Sequence, residues 1–209
     1  MKYSKQIKNK TRVSRYGEVF TQKREVNAML NLVNDEVSNI TSKVLEPACG
    51  EGAFIIEILN RRLNTIKIFG FQGILLEWKI LQAVSNLYGV DILNDNILIC
   101  KQNILNTINH FIEEINYNCS KNFYKALNII VNKNILCGNS ITYTNQKKDL
   151  IISEWKFNFD GTVTKFSYLF KDLVEFGDDA KPISNKYTFS WYKNNENNSL
   201  IKEGVLENV

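Results

Sequence analysis

The stretch that most limits what this chain can become is Val44-Leu45-Glu46-Pro47-Ala48-Cys49-Gly50-Glu51-Gly52-Ala53-Phe54. It reads as a buried strand, a tight turn closed by two glycines, and the opening of an amphipathic helix. Ile55, Ile58, Leu59 and Leu63 keep helical spacing with Phe54, which gives that helix one apolar stripe. Gly50 and Gly52 carry no Cβ, so a ligand lying across the turn meets backbone rather than side chains. The helix start adds free backbone N–H groups and a partial positive end.

Within this stretch, Glu46 to Phe54 resembles the cofactor-binding motif of the S-adenosylmethionine-dependent adenine-N6 DNA methyltransferases, and more closely their restriction–modification M-subunit members. It differs from the dinucleotide fingerprint Gly-x-Gly-x-x-Gly, because position 55 is Ile and the turn is opened by Glu-Pro. The resemblance implies an α/β, Rossmann-like fold with a mainly parallel sheet, and S-adenosylmethionine as cofactor. It places Glu46, Ala48, Gly50 and Gly52 against that cofactor.

Three further segments extend the likeness. Gly17, Phe20 and Thr21 fit the family's Gly-x-x-Phe-Thr-Pro segment, which packs against the methionine part of the cofactor; Gln22 stands where Pro is usual, which loosens the loop. Thr21 also suits the N-cap of a helix from about Lys23 to Val33. Leu87-Tyr88-Gly89-Val90-Asp91-Ile92-Leu93 is a short apolar strand ending in an acid. A carboxylate there can accept hydrogen bonds from both ribose hydroxyls. By resemblance Asp91 holds the ribose and Ile92 lies against the adenine; an N-cap role for Asp91 is the structural alternative. Asn139, in the Gly138-Asn139 step after a third strand, fits the residue that reaches the adenine amine, or else a simple turn Asn.

The pattern then breaks. Asp149-Leu150-Ile151-Ile152 has the size of the fourth strand, which in adenine-N6 methyltransferases ends in Asn-Pro-Pro-Tyr or Asp-Pro-Pro-Tyr. Those residues accept the target amine and stack on the flipped base. Here the strand runs into Ser153-Glu154-Trp155-Lys156, and the only prolines are Pro47 and Pro182. Glu154 and Trp155 are thus weak catalytic candidates, as a diverged acceptor and stacking ring. The alternative is a cofactor-binding half whose base-binding half is a second methyltransferase or restriction subunit. A chain of 209 residues also leaves no room for a target-recognition domain. No protein nucleophile is needed for such chemistry, since the positioned adenine amine attacks the methyl sulfonium directly.

Composition sets the outer limits. No apolar run nears the roughly 20 residues of a membrane span, and no apolar signal-peptide core follows the basic start, so a cytoplasmic location is expected. The four cysteines are scattered and His110 is the only histidine, which excludes a zinc knuckle or finger on ligand count. No metal is expected; the thiols read as reduced and mostly buried, and His110 as a helix residue. The net charge of +4 is compatible with DNA as a partner without implying it. Lys2 to Arg24 holds eight Lys/Arg against one Glu, a phosphate-contacting arm or a solvated tail.

The expected organisation is a basic arm over 1–15, a cofactor-binding domain over 16–154, and a β-rich annex over 155–209 in the same compact unit. The motif helix is expected to end near Asn64, with Ile66 to Gly73 as a loop or lid. Glu57 and Arg61 are spaced for an ion pair on its outer face. Helices are expected at about Leu75 to Asn86 and Asn96 to Ile115. In the annex, Trp155, Phe157 and Phe159 alternate, Asp160-Gly161 is a hairpin turn, and Val163 to Leu169 returns. Tyr187, Phe189 and Trp191 form another strand before an Asn-rich tail. Aromatics at period two form the inner face of a β-layer more often than a base-stacking surface. The functions kept in view are an S-adenosylmethionine-binding subunit of a DNA methyltransferase, a catalytically inactive methyltransferase-fold scaffold or regulatory module, and a small-molecule or protein methyltransferase.

Overall fold

The structure, a computed structural model, describes residues 10–16, 18–158, 161–183 and 187–189. Gly17, most of the basic arm, Phe159 and Asp160 of the hairpin turn, Trp191 and the Asn-rich tail lie outside them. The helices are α1 (Lys10–Tyr16), α2 (Lys23–Asn31), α3 (Asn34–Ser38), α4 (Ala53–Phe69), α5 (Gly73–Ser85), α6 (Asn94–Glu114), α7 (Lys121–Asn134) and α8 (Phe170–Phe176). The strands are β1 (Val44–Glu46), β2 (Leu87–Asp91), β3 (Ile135–Cys137), β4 (Thr144–Asn145), β5 (Lys148–Asp149), β6 (Ile151–Phe157), β7 (Val163–Leu169) and β8 (Tyr187–Phe189).

The architecture is mixed α/β. β1, β2 and β3 form a parallel sheet in that order, with Glu46 opposite Gly89 and Asp91 opposite Cys137. Parallel neighbours require long crossovers, and each here is a pair of helices: α4 and α5 between β1 and β2, α6 and α7 between β2 and β3. β2 lies in the middle and is buried on both faces. On one face Gly89 lets α4 approach, since a Cβ there would sit 2.7 Å from Ile55 Cδ1. On the other, Tyr88 and Val90 pack with Leu150, Ile152 and Phe170.

The expected end of the motif helix is corrected. The motif helix does not stop near Asn64. Ile66, fully buried, continues the stripe of Ile55, Ile58, Leu59 and Leu63, and Gly70 ends α4 in the left-handed conformation. The supposed lid is therefore mostly helix. The apolar stretch from Phe123 to Val131 lies in α7, which Ser120 caps by accepting from Phe123 N–H. Glu77, itself buried, accepts from both the N–H (2.7 Å) and the hydroxyl (2.9 Å) of Ser120. The Glu57–Arg61 pair forms as spaced, at 3.2 Å, and Arg61 also donates to Asn27, Asn31 and Asn34, tying α2 and α3 to α4. His110 lies on the exposed face of α6.

The fourth strand departs most. β6 joins no parallel neighbour among the described residues; it pairs antiparallel with β7, and β7 with β8. Its direction follows from its contacts. Leu150, just before β6, packs on Gly138 at the C-terminal end of β3. Trp155, late in β6, donates to Asn134 at the N-terminal end of β3, at 2.8 Å. β6 therefore runs against β1–β3. The reason is the connection. After Gly138 the chain makes the small β4–β5 hairpin, with left-handed Tyr143, Gln146 and Lys147, in place of a crossover helix. The β6–β7 hairpin begins at Ile151, before the expected annex boundary. On it Trp155 is buried and Phe157 meets Trp78 edge-on at 5.0 Å, as expected of an inner face. Phe166 and Tyr168 alternate with Val163, Lys165 and Ser167 and stay half-buried, while Phe170 opens α8. No helix among the described residues is long and apolar enough to cross a membrane.

The helical layer is pinned by Arg62, which is fully buried. Its guanidinium donates to the carbonyls of Val37 (3.1 Å), Ala83 (2.8 Å) and Ser42, joining α3, α5 and the approach to β1. Burial lowers its pKa to about 10, so it stays protonated at neutral pH. Arg62→Met would leave three carbonyls without donors and should cost about 3 kcal/mol or more, read from urea denaturation. Arg62→Lys should recover only part, because an ammonium cannot span the three positions.

Candidate functional site

The glycine turn lies where β1 leaves the sheet, and its shape is forced. Gly50 (φ 53°) and Gly52 (φ 93°) are both in the left-handed region, which an L side chain enters only at a cost. The space is closed as well: a Cβ on Gly52 would sit 2.7 Å from Cys100 Sγ on α6. Gly52 N–H donates back to Cys49 O, Cys49 N–H reaches Val90 O on β2, and Asn103 Nδ2 holds Glu51 O. No side chain caps the start of α4. Below the turn Cys49 and Cys100 lie buried side by side; contact with Cys100 and burial push the Cys49 thiol well above its ordinary range, so it stays protonated.

Asp91 stands at the C-terminal end of β2, directly beside that turn. Its Oδ2 accepts from Gly50 N–H at 2.9 Å and its Oδ1 from Leu93 N–H at 2.8 Å. Oδ2, with this single bond, keeps acceptor capacity for a ligand donor. Glu46, at the end of β1, is partly desolvated, which raises its pKa; a 3.3 Å bond from Ala48 N–H opposes this. Ile92 follows with half of its surface exposed, and its carbonyl receives the Cys137 thiol.

The N-terminal segment folds onto the same place through residues that the sequence did not single out. Glu18, with a 7% exposed side chain, accepts from Arg12 Nε at 2.6 Å and from Asn96 Nδ2 at 2.8 Å. Asn96 Nδ2 also lies 3.4 Å from Asp91 Oδ1, so one amide links Glu18 and Asp91. Arg12 adds Asp95, and its carboxylate neighbours hold it protonated. Nothing in the spacing of Arg12 and Glu18 foretells this, because their common partner Asn96 lies far along the chain. Glu18 does fall inside the Gly-x-x-Phe-Thr segment. Phe20 and Thr21 are half-buried just beyond it. Gln22, rather than Thr21, is the N-cap of α2, and its N–H donates to Glu25 at 3.1 Å. A proline at 22 has no such N–H to give.

The remaining candidates are placed otherwise. Asn139 Oδ1 accepts from Ile141 N–H (2.8 Å) and Thr142 N–H (3.1 Å), so the turn already occupies the oxygen expected to meet an adenine amine. Glu154 and Trp155 are carried by β6 to the N-terminal end of the parallel strands, away from the glycine turn. Glu154 pairs with Lys43 and accepts from Tyr168 Oη at 3.1 Å; Trp155 is 6% exposed and bonded to Asn134. Neither reaches Asp91's end of the sheet. Among the described residues no three His, Cys, Asp or Glu side chains group as metal ligands.

The turn's geometry predicts a two-part penalty for Gly52→Ala. Strain at φ 93° and the clash with Cys100 should together cost about 2–3 kcal/mol. Pairing it with Cys100→Ala should recover only the clash, and a double-mutant cycle in urea separates the two.

No protein-family model matches the chain, and no match is found among curated proteins or solved structures.

Proposed function

We propose that this chain binds S-adenosylmethionine across the Gly50–Gly52 turn, as the cofactor-binding subunit of an adenine-N6 DNA methyltransferase assembly of the restriction–modification type. The observation that carries the proposal is Asp91, held by Gly50 N–H and Leu93 N–H at the carboxyl end of the central parallel strand. In an open parallel sheet that is the end at which ligands bind. A ribose diol donates to Asp91, the cofactor lies over glycine backbone, and Ile92 offers an apolar surface to the adenine. Phe20, Thr21 and the Glu18 loop border the methionine side. The Rossmann-like methyltransferase fold belongs to the same proposal, with the three parallel strands as its shared part.

Base binding is assigned to a partner chain that also contacts DNA. The placement of Glu154 and Trp155 favours this over a self-sufficient enzyme, since both are engaged at the far end of the strands. The same placement supports the second candidate, an inactive cofactor-binding scaffold. The two differ in whether methyl transfer appears when a partner carrying the Asn-Pro-Pro-Tyr segment is added.

Calorimetric titration of S-adenosylmethionine into the whole chain should give micromolar binding. Asp91→Ala should weaken it about tenfold to a hundredfold, the range for bonds to a charged group. Glu154→Gln should leave it unchanged. Labelled methyl should enter DNA only when the partner is present. Absence of binding by a folded chain would reject the cofactor proposal, and binding without transfer in the presence of the partner would favour the scaffold.

A further inference from the structure

At the other end of the sheet a cavity of about 350 Å³ opens between β1, the β6–β7 hairpin and α8. Its volume falls at the small end of ligand pockets, roughly 300–1,000 Å³. The walls are mainly apolar, from Val44, Leu45, Ile152 and Leu173, and the polar side chains on it are Tyr88, Tyr168, Asp178 and the Lys43–Glu154 pair.

Tyr88 is the anomaly. It is 7% exposed, yet no described residue hydrogen-bonds its hydroxyl. A hydroxyl that the protein leaves unmatched on a cavity wall is available there to solvent or to a ligand. Phe would fill the same space without offering that donor. Burial, with the nearby Glu154 carboxylate adding to it, raises the Tyr88 pKa, so the group remains a neutral donor. Glu154 is fixed by Lys43 and Tyr168 on the same wall and keeps room for one more donor.

From the orphan hydroxyl, the apolar walls and the anchored carboxylate we infer that this cavity is a second binding site, for a small apolar-bodied molecule bearing a carboxamide-like head. Its carbonyl accepts from Tyr88, its N–H donates to Glu154, and its hydrocarbon part lies against Ile152 and Leu173. No part of this rests on the cofactor proposal, since the cavity and the glycine turn lie at opposite ends of the strands.

Benzamide is the probe, because it carries a ring, a carbonyl and an N–H donor in one small molecule. In amide ¹H–¹⁵N spectra of the whole chain it should shift Val44, Leu45, Ile152 and Leu173 saturably. Tyr88→Phe should weaken it about three- to tenfold, the loss of one neutral hydrogen bond, while the unliganded variant melts at the same or a higher temperature. Leu173→Trp, which fills the cavity, should abolish the shifts. Absence of saturable shifts at these amides, an unchanged affinity in Tyr88→Phe, or a lower melting temperature of that variant would each overturn the inference.

Discussion

The carboxylate of Asp91 joins two chain segments that leave the parallel sheet side by side. One oxygen receives Gly50 N–H from the exit of β1, and the other receives Leu93 N–H from the exit of β2. Both bonds are to a charged acceptor, and each is worth more than a neutral one. They set the path of the glycine turn, which in turn sets where α4 begins. Gly52 then lets α6 press in at Cys100, and Gly89 lets α4 press in at Ile55. Close packing on both sides of β2 and the presentation of backbone at the turn are thus one arrangement.

Much of this was legible because it is local. The strand–turn–helix at 44–54, the acid that closes β2, the Glu57–Arg61 pair and the return strand β7 all declare themselves in spacing of two to four residues. What stayed hidden depends on partners far along the chain. Arg62 looks like an ordinary charged residue of α4, and only the folded chain brings three carbonyls to it. Glu18 and Asn96 are separated by 78 residues, yet one bond between them ties the N-terminal segment to the Asp91 end of the sheet. The end of α4 was missed for another reason: Phe69, Gly70, Phe71 and Gly73 resemble loop punctuation, whereas Ile66 still belongs to the buried stripe and Gly70 is the cap.

The direction of β6 matters most for function. An apolar strand of the right length at 149–152 suggests a fourth parallel neighbour, and periodicity alone says nothing of direction. The β4–β5 hairpin decides it. By returning the chain without a crossover, it carries Glu154 and Trp155 away from the carboxyl ends of β1 and β2 and into the structural face below Tyr88. The strand that the resemblance would end in Asn-Pro-Pro-Tyr thus carries other residues and also runs the other way. On the proposed reading the described residues offer a cofactor shelf, and base binding falls to a partner chain.

Hydrogen–deuterium exchange with and without S-adenosylmethionine tests that central claim most directly. The account predicts slowed exchange confined to residues 46–54, 91–97 and 18–22, with the β6–β7 hairpin unchanged. Protection centred on Glu154 and Trp155, or none at the glycine turn at saturating cofactor, would contradict it.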